Sequence, residues 1–124
     1  MTTKRVLSVG QCFADHSGIT HTLRRAFGAE VIDVSTASEA LTRLHGESFA
    51  LVLVNRIFDA NGDSGVELIR ALKADPALAA VPVMLVSNYD DAQEEAAAEG
   101  AVPGFGKASL GEAAMLARLA PYLK

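Results

Sequence analysis

Two uninterrupted apolar runs, FALVLV at 49–54 and VPVMLV at 81–86, limit what this chain can fold into more than any other feature. Each is as long as a strand and too short for a helix, and neither alternates polar with apolar residues. A strand without a polar face must be covered on both sides, as a central strand is in a parallel sheet flanked by helices. Helical patterns sit where that arrangement needs them. ITHTLRRAF at 19–27 places Ile19, Leu23, Ala26 and Phe27 at helical spacing, with Gly28 as a stop. Thr36 or Ser38 can cap EALTRLHG, and Ser64 with Glu67 forms a capping-box pattern ahead of VELIRALKAD, which Pro76 ends.

The remaining segments continue the alternation. RVLSV at 5–9 and VIDVS at 31–35 read as strands. DDAQEEAAAEG at 90–100 reads as an Ala-rich helix whose acidic first turn suits its dipole. AVPGF at 101–105 is a weaker strand, and its Pro103 suits only an edge. Ser109 and Glu112 form a second capping-box pattern, opening a last helix through about Ala120. Five strands alternating with five helices predict an α/β fold, a doubly wound parallel sheet with helices on both faces. Such sheets bind ligands beyond the carboxyl ends of the strands, where the winding reverses. The residues there are Gly10 and Gln11, Ser35, Asn55, Ser87 and Asn88, and Gly106 with Lys107.

Composition removes several classes of function. The chain has 124 residues, with 15 acids against 11 bases, which argues against a nucleic-acid or anionic-membrane partner. Its longest apolar stretch, Ala77 to Val86, contains Pro82 and is too short to span a bilayer. The amino terminus lacks the apolar run of a signal peptide. Cys12 is the one cysteine, so no internal disulfide can form, and a cytoplasmic location is expected. With no linker, repeat or low-complexity tract, residues 1–124 are read as one domain.

Three segments, ALVLVN at the third strand, VPVMLVSN at the fourth and EGAVPGFGK at the fifth, make the chain resemble a response-regulator receiver domain, the phosphoacceptor module of two-component signalling. The resemblance extends over the whole chain. It implies a flavodoxin-like (βα)5 sheet in the order 2-1-3-4-5. It also implies that Asn55 stands where the family carries its phosphoacceptor aspartate. Ser87 matches the hydroxyl residue that contacts the phosphoryl group, and Lys107 matches the lysine that pairs with its oxygens. The family's Mg²⁺-holding acidic pair falls on Gly10 and Gln11. Its aromatic switch position falls on Gly104, with Phe105 directed into the core, and its cis-proline after the lysine is replaced by Ala108, predicting a trans peptide. Two loops read as longer than the family's, GQCFADHSG after the first strand and the segment from Asn55 to Gly65.

Phosphoryl transfer at such a site needs a carboxylate nucleophile and a cation that neutralises charge on the moving group. An amide at Asn55 is neutral and a very poor nucleophile, and Mg²⁺ prefers carboxylate oxygens. Lys107 then has two readings: a partner for a nearby acid such as Asp15 or Asp59, or part of an anion site with Ser87 and the backbone N–H groups opening the last helix. Asp15 and His16 also have two. Counted back from LRRAF, the long first loop could carry them into the pocket; counted forward from the first strand it could not, and a loop end or helix cap is favoured. Arg56 is expected to reach solvent or pair with Asp59, and Cys12 to be a small buried apolar residue.

Two motif lookalikes are set aside. DANGDSG at 59–65 places Asp59, Asn61 and Asp63 like the first ligands of an EF-hand, but Ser64 and Arg70 occupy its required Gly and Glu positions. AVPGFGKAS ends like a Walker loop but has Ala108 in place of the Mg²⁺-binding hydroxyl. The expectation is a stand-alone atypical receiver, not an enzyme, with no cofactor or metal. It would act in signal transduction through protein contact on the face of the fourth helix, fifth strand and fifth helix, residues 90–120, with a homodimer on that face also open. The alternative is a phosphate- or metal-dependent switch that uses Asp15, Asp59 or Asp63 in non-standard positions.

Overall fold

The computed structural model describes residues 3–124. Strands β1 (Arg5–Val9), β2 (Glu30–Val34), β3 (Leu51–Asn55), β4 (Val83–Val86) and β5 (Val102–Phe105) alternate with helices α1 (Phe13–Phe27), α2 (Ala37–Gly46), α3 (Gly65–Ala74), α4 (Asp90–Ala98) and α5 (Ala113–Leu123). The strands form one parallel sheet in the order β2-β1-β3-β4-β5. This is the doubly wound flavodoxin-like arrangement, and its winding reverses between β1 and β3.

The apolar run in β3 is buried at every position because it feeds two cores. Val52 and Val54 pack with Leu68, Ile69 and Leu72 of α3 and Ala92 and Ala96 of α4. Leu51 and Leu53 face the other way, toward Ile19 and Leu23 of α1 and Met115 and Leu119 of α5. No helix is long and apolar enough to cross a membrane among the described residues.

Thr36 and Ser64 cap α2 and α3 through the backbone N–H groups of Glu39 and Glu67. The termini of α1 and α5 depart from the sequence reading. Helix α1 begins at Phe13, so most of GQCFADHSG is helical and the first loop is short. The signal was hidden because the first turn buries no apolar side chain: Phe13 and Ala14 are exposed and Asp15 and His16 are polar, so it has no apolar period to read. Ser109 and Glu112 form no capping box. Lys107–Ser109 is a short 3₁₀ turn, Gly111 follows with φ of 85°, and α5 starts at Ala113 and runs through Pro121. The positive φ breaks the continuous geometry that a capping box requires.

Candidate functional site: the carboxyl ends of β1, β3, β4 and β5

Asn55 ends β3 with only 8% of its surface exposed, and its side-chain amide is held by two backbone carbonyls. Its Nδ2 donates to the carbonyl oxygen of Gly10 at 2.9 Å and to that of Ile57 at 2.7 Å. Two carbonyl oxygens converging on one point form a site for a positive group. Here an N–H₂ group fills it. A carboxylate in the same rotamer would set a negative oxygen against both carbonyls.

Gly10 has φ of 75°, and the ring of Phe58 covers it. A Cβ on Gly10 would overlap that ring, so the position that direct register gives to a metal-binding acid has no room for a side chain. The loop from Asn55 to Gly65 accounts for this. Phe58 is 1% exposed, the backbone N–H of Asp59 donates to the Gly10 carbonyl at 3.0 Å, and Ile57 pairs with Ser64 in an isolated antiparallel bridge. At the tip, Asn61 Oδ1 accepts from the Asp63 N–H, giving an ordinary Asx turn. Asp59 and Asp63 both stay exposed and neither reaches Lys107. Gln11 is 8% exposed, with no hydrogen-bond partner for either amide atom.

Lys107 Nζ lies 2.7 Å from Asp15 Oδ2, so of the two acids weighed for this lysine Asp15 is its partner. Asp15 reaches it from the first turn of α1, neither a loop end nor the cap residue. The Lys107 hydrogen bond holds the Asp15 carboxyl below its ordinary value; partial burial opposes this, and a bond from the Cys12 thiol adds to the lowering. Cys12 is therefore the half-buried N-cap of α1 beside this pair, and not a core residue. His16 points elsewhere: Nδ1 sits 3.8 Å from Asp33 and Nε2 3.4 Å from Thr20 Oγ1. Helical geometry separates the two neighbours by about 100°.

Ser87 is 6% exposed, and its Oγ accepts from the Tyr89 N–H at 3.2 Å. Asn88 Oδ1 accepts from the Ala108 N–H at 3.0 Å, tying the β4 end to the turn after β5. Arg56 is half-buried and makes no ion pair with Asp59: its guanidinium carbon lies 4.9 Å from the centroid of the Tyr89 ring. Asn55, Ser87, Asn88 and Lys107 line a shared cleft of about 360 Å³. Among the described residues no three His, Cys, Asp or Glu side chains are grouped to hold a metal ion. The peptide after Lys107 is trans.

Sequence reading missed three contributors. Phe58 follows Ile57 in a loop otherwise rich in turn formers, with no periodicity to mark it as buried. Tyr89 directly precedes α4 and carries no local signal of its ring contact. Gln93 is the neutral polar residue of the acidic, Ala-rich α4. Its Nε2 donates to the carbonyl oxygens of Leu85 at 3.0 Å, Ser87 at 3.1 Å and Phe105 at 3.4 Å, where the β4–β5 register shifts. Gly104 lies against the Leu85 carbonyl so closely that a Cβ could not fit, and its own carbonyl accepts from Arg118 of α5. An aromatic ring at 104 is thus excluded sterically, while Phe105 packs in the core at 3% exposure.

The fold is that of the response-regulator receiver domains. A protein described as a response regulator from Chloroflexus aurantiacus J-10-fl superposes with a TM-score of 0.87, covering 98% of each chain at 18% identity. The chemotaxis response regulator CheY4 of Vibrio cholerae gives 0.71, with 97% of this chain and 95% of that one covered at 20% identity. A response regulator receiver protein from Pseudomonas putida gives 0.76, with 94% and 97% covered at 22% identity. No family model and no curated protein matches the sequence.

Proposed function

We propose that this chain is an atypical receiver that serves two-component signal transduction by protein contact and does not accept a phosphoryl group at the end of β3. The observation that carries the reading is the Asn55 amide, whose Nδ2 bridges the Gly10 and Ile57 carbonyls. That bond network satisfies with a neutral group what a cation and a carboxylate would otherwise satisfy together. Lys107 fits the same reading, because its charge is already balanced by Asp15.

Without phosphoryl chemistry, the signal must pass through surfaces. The face of α4, β5 and α5, residues 90–120, is one such surface. The bonds of Gln93 to the Phe105 carbonyl and of Arg118 to the Gly104 carbonyl tie both helices to the edge strand, so a protein seated there acts on the strand ends as a unit.

The test is incubation with acetyl phosphate and Mg²⁺ followed by intact-mass measurement at neutral and acid-labile-sparing pH. No phosphoryl adduct is expected. An adduct mapped to the Asn55–Gly65 loop or to Asp15 would overturn the reading.

A further inference from the structure

Three large apolar side chains stand exposed among the described residues, Phe13, Ile57 and Tyr89, and all three follow the carboxyl ends of strands β1, β3 and β4. Ile57 and Tyr89 share a cleft of about 360 Å³ between the start of α3 and the outer side of α4. Ile57, Val66 and Ala92 supply its apolar lining. One wall is the Tyr89 ring, with the Arg56 guanidinium against it. Its lip carries Asp91 and Glu95.

Arg56 aside, the charged residues that line the cleft, Asp91 and Glu95, are acidic. Asp90 and Glu94 lie exposed along α4, and Asp59 and Asp63 are exposed on the loop after β3. None of these six acids makes an ion pair among the described residues. Arg56 is the one base that lines the cleft, and it is turned onto an aromatic face. Apolar side chains beside two acids that make no ion pair are complementary to one kind of surface, an apolar side chain next to a cation.

We propose that this cleft is a docking groove for a basic segment of a partner protein, in which an arginine or lysine adjoins an apolar side chain. The apolar side chain covers Ile57 and Val66. The cation meets Asp91 and Glu95 and competes with Arg56 for the face of Tyr89. This deepens the reading of the chain as a contact module and rests on it. It adds the opposite flank of α4 to the surface that faces β5 and α5.

The experiment is a titration of the ¹⁵N-labelled chain with a short capped peptide of alternating arginine and leucine, at low and at high salt. Amide shifts are expected at Ile57, Tyr89, Asp91, Ala92 and Glu95, fading as salt screens the lip. The double substitution Asp91→Asn and Glu95→Gln should weaken binding by roughly tenfold, since each exposed pair contributes up to about one factor of five. A peptide with serine for leucine should bind more weakly, and one with glutamate for arginine should not bind. Four results would overturn the proposal: no shifts with the arginine–leucine peptide; shifts centred on β5 and α5; equal binding of the serine peptide; or broadening of the cleft amides with protein concentration alone, which would assign the groove to a second copy of the chain. Acetyl phosphate labelling reads covalent chemistry and this titration reads non-covalent contact, so either result can fail while the other stands.

Discussion

The Asn55 Nδ2 atom lies 2.9 Å from the carbonyl oxygen of Gly10, a residue 45 positions earlier in the chain. One side-chain amide thereby ties the end of β3 to the end of β1, across the point where the sheet reverses its winding. The same nitrogen holds the Ile57 carbonyl at the start of the following loop. The strand ends on an amide because these two acceptors require a donor.

Asn55→Asp is expected to destabilise the chain by about 2–4 kcal/mol, because two buried carbonyls lose their donor and face a carboxylate instead. Millimolar Mg²⁺ should not restore the loss. Gly10 has no carboxyl, and Asp15 is committed to Lys107. Urea denaturation with and without Mg²⁺ measures this. Recovery to wild-type stability in Mg²⁺, abolished by adding Asp15→Asn, would mean that Asp15 completes a cation site.

The Asp15–Lys107 pair should give a pH-dependent difference between wild type and Asp15→Asn. The Asp15 carboxyl is lowered from its ordinary value of 3.8, chiefly by its hydrogen bond from Lys107. A group depressed on folding contributes stability above its unfolded value and loses it as pH falls through the lower folded value. The wild type should therefore be more stable at neutral pH, by about 0.5–1 kcal/mol for a partly exposed pair. The two curves should converge below the ordinary carboxyl range. A difference that persists unchanged in acid would assign the effect to packing.

Gly10→Ala is expected to cost about 3 kcal/mol or more, since it combines a left-handed backbone with a Cβ that overlaps the Phe58 ring. Phe58→Leu should recover part of that loss in the double variant while destabilising the wild type. Purely additive losses in the double-mutant cycle would place the strain in the backbone alone.

Gln93→Ala removes the donor shared by three carbonyls between β4 and β5. The expected cost is about 1–3 kcal/mol. Faster amide exchange should appear at Ser87 and in β5, with β1 and β3 unaffected. Uniform acceleration across the sheet would show that Gln93 contributes to global stability and not to the edge strand in particular.

The layout of this fold was legible from local signals. The doubly apolar runs of β3 and β4 can exist only between two layers of helices, and the caps at Thr36 and Ser64 depend on residues three positions away. Those features place Asn55, Ser87 and Lys107 at one end of the sheet before any contact is known. Which atoms meet there was decided by tertiary structure. Helix α1 begins at Phe13 on a turn that buries no apolar residue and shows no hydrophobic period, and only that start carries Asp15 to Lys107 and turns His16 toward β2. Phe58 reaches Gly10, and Gln93 reaches the β4–β5 seam, through strand pairing and helix phase between residues far apart in sequence. Local sequence carries periodicity and capping because these act within a few residues. The site is built from long-range contacts, whose partners are set by the packing of whole elements.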